Sequence, residues 1–389
     1  MVRELGVCFF IMLVTQHAAV AQSTSVLSTK VDVLEEQVER LMLQNSRLQQ
    51  RMDDVNNAAA VSQDQVIDLE KQFRSRLLIS GYADVEYVEN SLPEKDAGFR
   101  MHHFSVVFTK NIDSKWRLFS EVEFEDAPSV QFDGKPSSCD DCSGTIFLEA
   151  MNISYSPSAL FGLKAGRFFT PAGLWSEDHY PPFVKTQERP LHIRKIFPQL
   201  VDGAMGLGRL QAGETFLDYQ VYSGNGEGNP GSGDENSSKA VGVKLALLFP
   251  LFTHFELGTS YYQDKLNTGI EKVASGVHLK LRLQSFHFQG EYAKGELQPN
   301  VGKEYTLEGY YGQFFYSINH FDVGYRYDYF DDMKNSGFDQ EEEVRNSVFI
   351  NWQVQENVVL KLEHHEVEPQ FSDDYTKTIV SLVAHISSQ

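Results

Sequence analysis

The run Val273–Leu283 reads VASGVHLKLRL, passes through Gln284 and Ser285, and continues as FHFQGEYAK from Phe286 to Lys294. In its first half Val277, Leu279, Leu281 and Leu283 fall on one side of an extended chain. His278, Lys280, Arg282 and Gln284 fall on the other, because successive side chains of a strand point to opposite faces. The spacing predicts a strand over 273–283, a tight turn at Ser285 and a second strand over 286–294, with one apolar and one polar face.

The same two-residue period extends in both directions. Over 115–125, Trp116, Leu118, Val122 and Phe124 oppose Arg117, Glu121, Glu123 and Glu125; over 321–330, Val323, Tyr325, Tyr327 and Tyr329 oppose Asp322, Arg326 and Asp328. Beyond Arg76 the reading gives sixteen strands: 77–88, 98–110, 115–125, 144–155, 162–168, 201–211, 215–223, 239–249, 254–263, 273–283, 286–294, 304–317, 321–330, 344–354, 358–366 and 375–386. Glu149 and Arg167 interrupt the pattern in the fourth and fifth, implying a bulge or an inner face crowded with aliphatics.

A soluble sandwich would show the same alternation, so the connections decide. Those after even-numbered strands are tight, such as 111–114, 212–214, Ser285 and 319–320, whereas those after odd-numbered strands are long. An up-and-down outer-membrane barrel has this asymmetry, with short turns at the periplasmic rim and long loops outside. The expected fold class is therefore all-β: a 16-stranded antiparallel transmembrane barrel over 76–389, with both ends in the periplasm. Sixteen strands enclose water. Arg117, Glu121, Glu123, Lys244, Lys280, Arg282 and Arg326 are placed on that inner wall, since a midplane Lys or Arg facing lipid would cost about 2–4 kcal/mol.

Composition agrees. The mean hydropathy of −0.34 and the lack of any later long apolar run exclude a helical membrane bundle, which needs about 20 apolar residues per span. A net charge of −20 argues against a nucleic-acid partner, since phosphate neutralisation needs clustered Lys and Arg. The longest connection, 169–200, contains Trp175, Tyr180-Pro181-Pro182-Phe183 and the charged set Glu177, Asp178, Lys185, Glu188, Arg189, Arg194 and Lys195, with His192. Long structureless loops are usually functional or disordered; this one is expected to fold into the channel and set its constriction. It carries a net +1, while the other seven outside loops total −16. A basic constriction facing acidic wall residues would orient dipolar and anionic solutes. In the competing reading those cations only tie the loop to the wall. The acidic rim suits divalent cations that bridge lipopolysaccharide.

Residues 1–21 read as an export signal, with Arg3, an apolar run over 6–14 and Ala19-Val20-Ala21. From Leu27 to Phe73 apolar positions step by four and three, with Leu34, Val38, Leu41, Leu48 and Met52 on the seam and Asn45 at an a position, where a polar residue sets register. Residues 22–75 are expected to form a periplasmic coiled coil that makes the protein a homo-oligomer. Cys139 and Cys142 suit a small loop disulfide in an oxidising envelope, against a reduced or metal-touching pair.

Several pieces carry a family likeness: Ser80-Gly81-Tyr82-Ala83-Asp84; the run Gly162–Leu174, GLKAGRFFTPAGL; and Glu188-Arg189-Pro190-Leu191. On these the chain resembles outer-membrane porins of the phosphate-selective O and P type, in the subgroup with an N-terminal coiled coil. The resemblance implies a homotrimer of sixteen-stranded pores with the third outside loop folded inward. Phosphate-selective members are similar to each other in a ladder of lumen arginines. Here Lys244, Lys280, Arg282 and Arg326 alternate with acids, so phosphate selectivity is not carried over.

Other signals are weaker. Gly226–Gly231 matches a dinucleotide fingerprint by letters but Pro230 interrupts it and no helix follows. His364 and His365, beside Glu363 and Glu366, point to opposite faces of a strand and read as a solvated rim pair. No cofactor, metal site or catalytic triad is implied, and an enzyme is not expected. The leading expectation is a passive channel for small hydrophilic solutes in the bacterial outer membrane, contacting lipid and lipopolysaccharide. The rival is an envelope tether or adhesin with a plugged barrel and a coil that contacts the cell wall.

Overall fold

The computed structural model describes residues 48, 49, 52, 77–93, 95–126, 144–228, 234, 236–250, 254–334 and 341–387. The chain divides into two units, Met1–Phe73 and Arg74–Gln389. In the first, Leu48, Gln49 and Met52 are helical and exposed. The seam positions Leu34, Val38, Leu41 and Asn45, the export signal, and Cys139 and Cys142 lie outside the described residues.

The second unit contains β1 (Leu77–Asn90), β2 (Gly98–Asn111), β3 (Trp116–Glu125), β4 (Thr145–Ser158), β5 (Phe161–Phe169), β6 (Leu200–Ala212), β7 (Thr215–Gly224) and β8 (Ala240–Phe249). It continues with β9 (His254–Lys265), β10 (Glu271–Leu283), β11 (Phe286–Gln298), β12 (Tyr305–Ile318), β13 (Phe321–Lys334), β14 (Glu341–Gln355), β15 (Val358–Pro369) and β16 (Tyr375–Ser387). Each strand pairs antiparallel with its neighbour in sequence, and β1 closes on β16 from Ser80↔Ser387 to Asn90↔Lys377. The fold is a closed sixteen-stranded antiparallel barrel. Strands run past their expected ends mainly at the long-loop rim. There polar residues such as Asp264, Lys265 and Glu341 keep the ladder going although they read as loop.

The two faces differ as the alternation requires. Val277, Leu283, Phe288, Phe314, Val323, Ile350, Leu362 and Leu382 all stand exposed on the outside, a contiguous apolar girdle of the sort that marks a lipid contact. Glu121, Glu123, Arg326, Lys361, Glu363 and His365 are buried inside. The irregularity at Glu149 is a bulge: β3 pairs Glu121 with Ala150 but Val122 with Leu148, so Glu149 is left unpaired and both it and Ala150 turn inward.

The interior is not uniformly polar. Ala172, Leu191, Ile196 and Phe197, from the connection between β5 and β6, pack on Ala240, Ala274, Ala293, Leu297 and Leu307 of the wall. Small wall residues make this seat possible: a Cβ on Gly276 would crowd the Phe197 ring, and one on Gly295 would crowd Ile196. The β5–β6 connection lies inside the barrel because these apolar residues find their burial there.

Candidate channel constriction

The inward loop runs from Thr170 to Gln199 and touches the wall around most of the ring. Near its start the amide of Gly173 donates to Ser260 Oγ on β9 (3.2 Å) and that of Trp175 to Glu291 Oε1 on β11 (3.0 Å). Glu177 then reaches β7 and β8, accepting from Gln220 Nε2 (2.9 Å) and pairing with Lys244 (2.5 Å). Asp178 is exposed. Tyr180 donates to Glu121 Oε2 on β3 (3.1 Å).

The loop turns at Tyr180–Val184, where the amides of Phe183 and Val184 both donate to the Tyr180 carbonyl. This tip lies deep, close to the short-turn rim. Lys185 pairs with Asp322, the second residue of β13, at 2.8 Å, and its ammonium lies 5.0 Å from the Phe315 ring centre. The Phe183 ring meets His385 near the end of β16. Lys361 on β15 donates to the carbonyls of Pro181 (2.7 Å) and Val184 (2.8 Å) and to Gln187 Oε1 (3.1 Å).

The returning limb is clasped by charge. Glu188 pairs with Lys377 on β16 and Arg345 on β14. Burial raises the Glu188 carboxyl, but the charges of Lys377 and Arg345 outweigh it and hold it well below the usual carboxylate range. Arg345 also donates to the Arg189 carbonyl, and Arg326 to Thr186 Oγ1 and to Asp328 (2.8 Å). The Arg189 side chain is half-buried. His192 is buried and stacks on Tyr311, and Lys195 stands 4.2 Å from the Phe330 ring centre.

Arg194, held at φ 68°, lies 3.8 Å from Glu149 Oε1. The same oxygen lies 3.3 Å from His179 Nε2. Burial, with the charges of Arg189 and His103, lowers His179 to about 3, so its ring is neutral at ordinary pH. Among the expected wall residues, Glu121 and Glu123 are buried and bonded, to Ser105 (2.6 Å) and Tyr82 (2.8 Å) respectively, while Arg117, Lys280 and Arg282 are exposed toward the short-turn rim.

The structure brings the expected loop and wall charges together at Glu177 and Lys244. The other clasping groups, Arg345, Lys361 and Lys377, were not singled out from sequence, and Glu363 and Asp84, which accept from the Gln187 amide (2.6 Å) and from Gln187 Nε2 (2.5 Å), were named there without that role. Their inward parity was the available signal: Lys361, Glu363 and His365 alternate with Leu360, Leu362 and His364. The rim reading of the histidine pair needs correction. His365 is wholly buried between Ser347 Oγ (2.7 Å) and Glu363 Oε2 (3.2 Å), because its face of β15 is covered by the loop, while His364 faces away and contacts Thr378.

Open space remains beside the loop, toward the short-turn rim. A cavity of about 440 Å³ lies between Glu177, Lys244, Gln220, Arg209, Asp218 and Glu256, and one of about 260 Å³ between Lys185, Asp322, Asn351, His320 and Lys361. Each far exceeds the roughly 30 Å³ a water molecule occupies in the liquid. The walls offer paired charges and amides, groups that can hold and pass hydrated ions.

No family model matches the sequence. Solved structures that resemble it include the outer-membrane expressed OmpT of Vibrio cholerae (TM-score 0.57, 10% identity, covering 79% of this chain and 97% of that one). Its in-vitro folded trimer form is similar (0.54, 12%, 79% and 98%). An anion-selective porin from Comamonas acidovorans gives 0.57 at 10% identity, over 80% and 99% of the two chains. The barrel has the porin fold. At these identities the likeness is one of fold. In sequence, an uncharacterized protein of Aquifex aeolicus is 28% identical over 161 residues, 40% of this chain and 33% of its own length, so the chain spans about a third of that relative.

Proposed function

We propose that the protein is an outer-membrane porin, a passive diffusion channel for small hydrophilic solutes, with permeation controlled by the inward loop. The observation that carries this reading is the pair of cavities left beside the loop, each bordered by charged side chains, inside a barrel whose outer face is apolar. The chemistry is non-enzymatic: wall charges replace part of an ion's hydration. Arg189 and Arg194 near the acidic sector of β1–β4 favour anionic solutes, with Lys195 against β13 adding to the loop's positive charge, and the likeness to an anion-selective porin supports that choice. Residues 1–21 serve as the export signal and 22–75 as a periplasmic coiled coil. That coil, together with the trimeric form of a structural neighbour, supports a homotrimer embedded in outer-membrane lipid and lipopolysaccharide.

One observation favours the plugged tether: the loop bonds to most of the barrel's circumference. Conductance separates the two. Reconstituted into planar bilayers, the folded protein is expected to give discrete, ohmic current steps. A correctly folded, inserted barrel that passes no current establishes the plug. Retained current after deletion of 22–75 would assign the coil to assembly rather than to the pore.

A further inference from the structure

On a regular β2, His102 and His103 would point to opposite faces. The β1–β2 register prevents this: Asp84 pairs with His103 but Val85 with Met101, so His102 is an extra residue bulged out of the ladder. Met101 and Phe104 on either side stand exposed on the outer face, and both imidazoles face inward, ring centres 3.6 Å apart. Bulges re-aim side chains and recur beside functional sites. This one brings two imidazoles against Asp84 and Glu86 of β1.

The atoms converge. His103 Nδ1 lies 3.1 Å from Asp84 Oδ2, and His102 Nδ1 lies 4.0 Å from Asp84 Oδ2 and 3.2 Å from Glu86 Oε1. Ligand atoms about 2.0–2.1 Å from one metal ion in a tetrahedral site stand roughly 3.3 Å from each other. Asp84 and Glu86 are fully buried, and Glu86 Oε1 and His102 Nδ1, 3.2 Å apart at ion-pair distance, miss hydrogen-bond geometry and have no other hydrogen-bond partner, an arrangement open to a shared ion.

The far side of His103 fits the same picture. Its Nε2 lies 3.9 Å from Glu125 Oε1. Together with Glu123, these groups have ligand atoms within 4.8 Å of one another. Glu123 is buried and its Oε2 is unpartnered. A metal-bound histidine usually gives its other ring N–H to a carboxylate, which fixes the tautomer that ligates; Glu125 stands just beyond hydrogen-bond reach of His103 Nε2.

We propose that His102 Nδ1, His103 Nδ1 and Asp84, with Glu86 adjacent, bind a divalent transition-metal cation of the zinc class on the inner wall. Two imidazoles with carboxylates select borderline metals over Ca²⁺ and Mg²⁺, which take oxygen ligands. Glu86 Oε2 is held by Arg100 (2.8 Å), leaving Oε1 for the site, and Asp84 Oδ2 also accepts from Gln187 Nε2 of the inward loop (2.5 Å). An ion here joins β1 and β2 to the loop through one carboxylate.

The test uses the full chain folded in detergent and stripped with EDTA, titrated with Zn²⁺ by calorimetry and with Co²⁺ by visible absorption. Wild type is expected to take up one Zn²⁺ per chain and to develop Co²⁺ d–d bands. His102→Gln and His103→Gln are each expected to weaken binding at least about tenfold, while His364→Gln, whose ring faces Thr378, leaves it unchanged. Heat-modifiable gel mobility confirms that each variant is folded, and Glu86→Gln provides a milder change should a histidine variant fail that check. Folded wild type that binds Zn²⁺ no better than folded His102→Gln or Glu86→Gln overturns the site, whatever current the barrel passes.

Discussion

The ammonium of Lys361, on the wall of the barrel, stands 2.7 Å from the carbonyl oxygen of Pro181 at the tip of the inward loop. Lys361 is 1% exposed, and its two other acceptors, the Val184 carbonyl and Gln187 Oε1, belong to the same loop. One wall cation thus closes three acceptors of a segment that has no helix or sheet to satisfy them.

Lys361→Met keeps the side chain's length and removes the donors. Hydrogen bonds to charged groups contribute about 1.5–3 kcal/mol each, and buried carbonyls left unpaired add a desolvation cost. The loop tip is expected to detach while the barrel stays closed. In planar bilayers this reads as larger, noisier single-channel steps with unchanged heat-modifiable mobility. A conductance histogram that matches wild type would show that the tip is held by other contacts.

Gly173→Ala probes the loop's other end. Gly173 sits at φ 58°, where a side chain costs about 1–2 kcal/mol, and a Cβ there would fall on the Glu291 carboxylate that accepts the Trp175 amide. Glu291 must swing away, freeing Trp175 from the wall. The expected result is faster cleavage of the loop by added protease, with strand content by circular dichroism unchanged. Equal cleavage rates would mean that Glu291 moves without releasing the loop.

The clasp at Glu188 gives a pH prediction. Its carboxyl is held below the unfolded value of about 4.3 by Lys377 and Arg345, against the upward push of burial. A lowered carboxylate contributes its full stabilisation above the unfolded value and loses it as pH falls through the folded one. Channel noise is therefore expected to stay constant from neutral pH to the ordinary carboxylate range and to rise only in stronger acid. Glu188→Gln should be noisy at neutral pH and lose that acid-dependent rise. A wild-type transition near neutrality would locate the controlling group elsewhere.

The strands were legible because each residue answers one local question, lipid or lumen. Val277 and His278 answer it oppositely, and the pattern repeats until the sheet closes. That the Phe169–Leu200 connection should fold inward was legible from its length and aromatic content. Its partners were not, because Lys361 and Pro181 are far apart in sequence and nothing local links them. Alternation also fails where the ladder slips. It places His102 and His103 on opposite faces, whereas the bulge opposite Asp84 turns both inward. The slip depends on β1–β2 pairing, and β2 alone holds no trace of it.

In the proposed channel, selectivity is expected to follow the two loop arginines, Arg189 and Arg194. Arg194 stands 3.8 Å from Glu149, a loose pair with the arginine side chain 32% exposed, and Arg189 is fixed through its carbonyl, which leaves its side-chain charge to act on the space around it. Neighbouring cations are committed: Lys185 to Asp322, and Arg345 to Glu188 and Asp328. In Arg189→Ala with Arg194→Ala, the buried Glu149 loses its nearest cation, and the acidic sector of Glu121, Glu123 and Glu149 then dominates the local potential. Reversal potentials across a salt gradient are expected to shift toward cation preference. The shift should be larger at low ionic strength, because the Debye length grows from about 10 Å at 0.1 M to about 30 Å at 0.01 M. An unchanged reversal potential at both salt concentrations would confine these arginines to holding the loop in place.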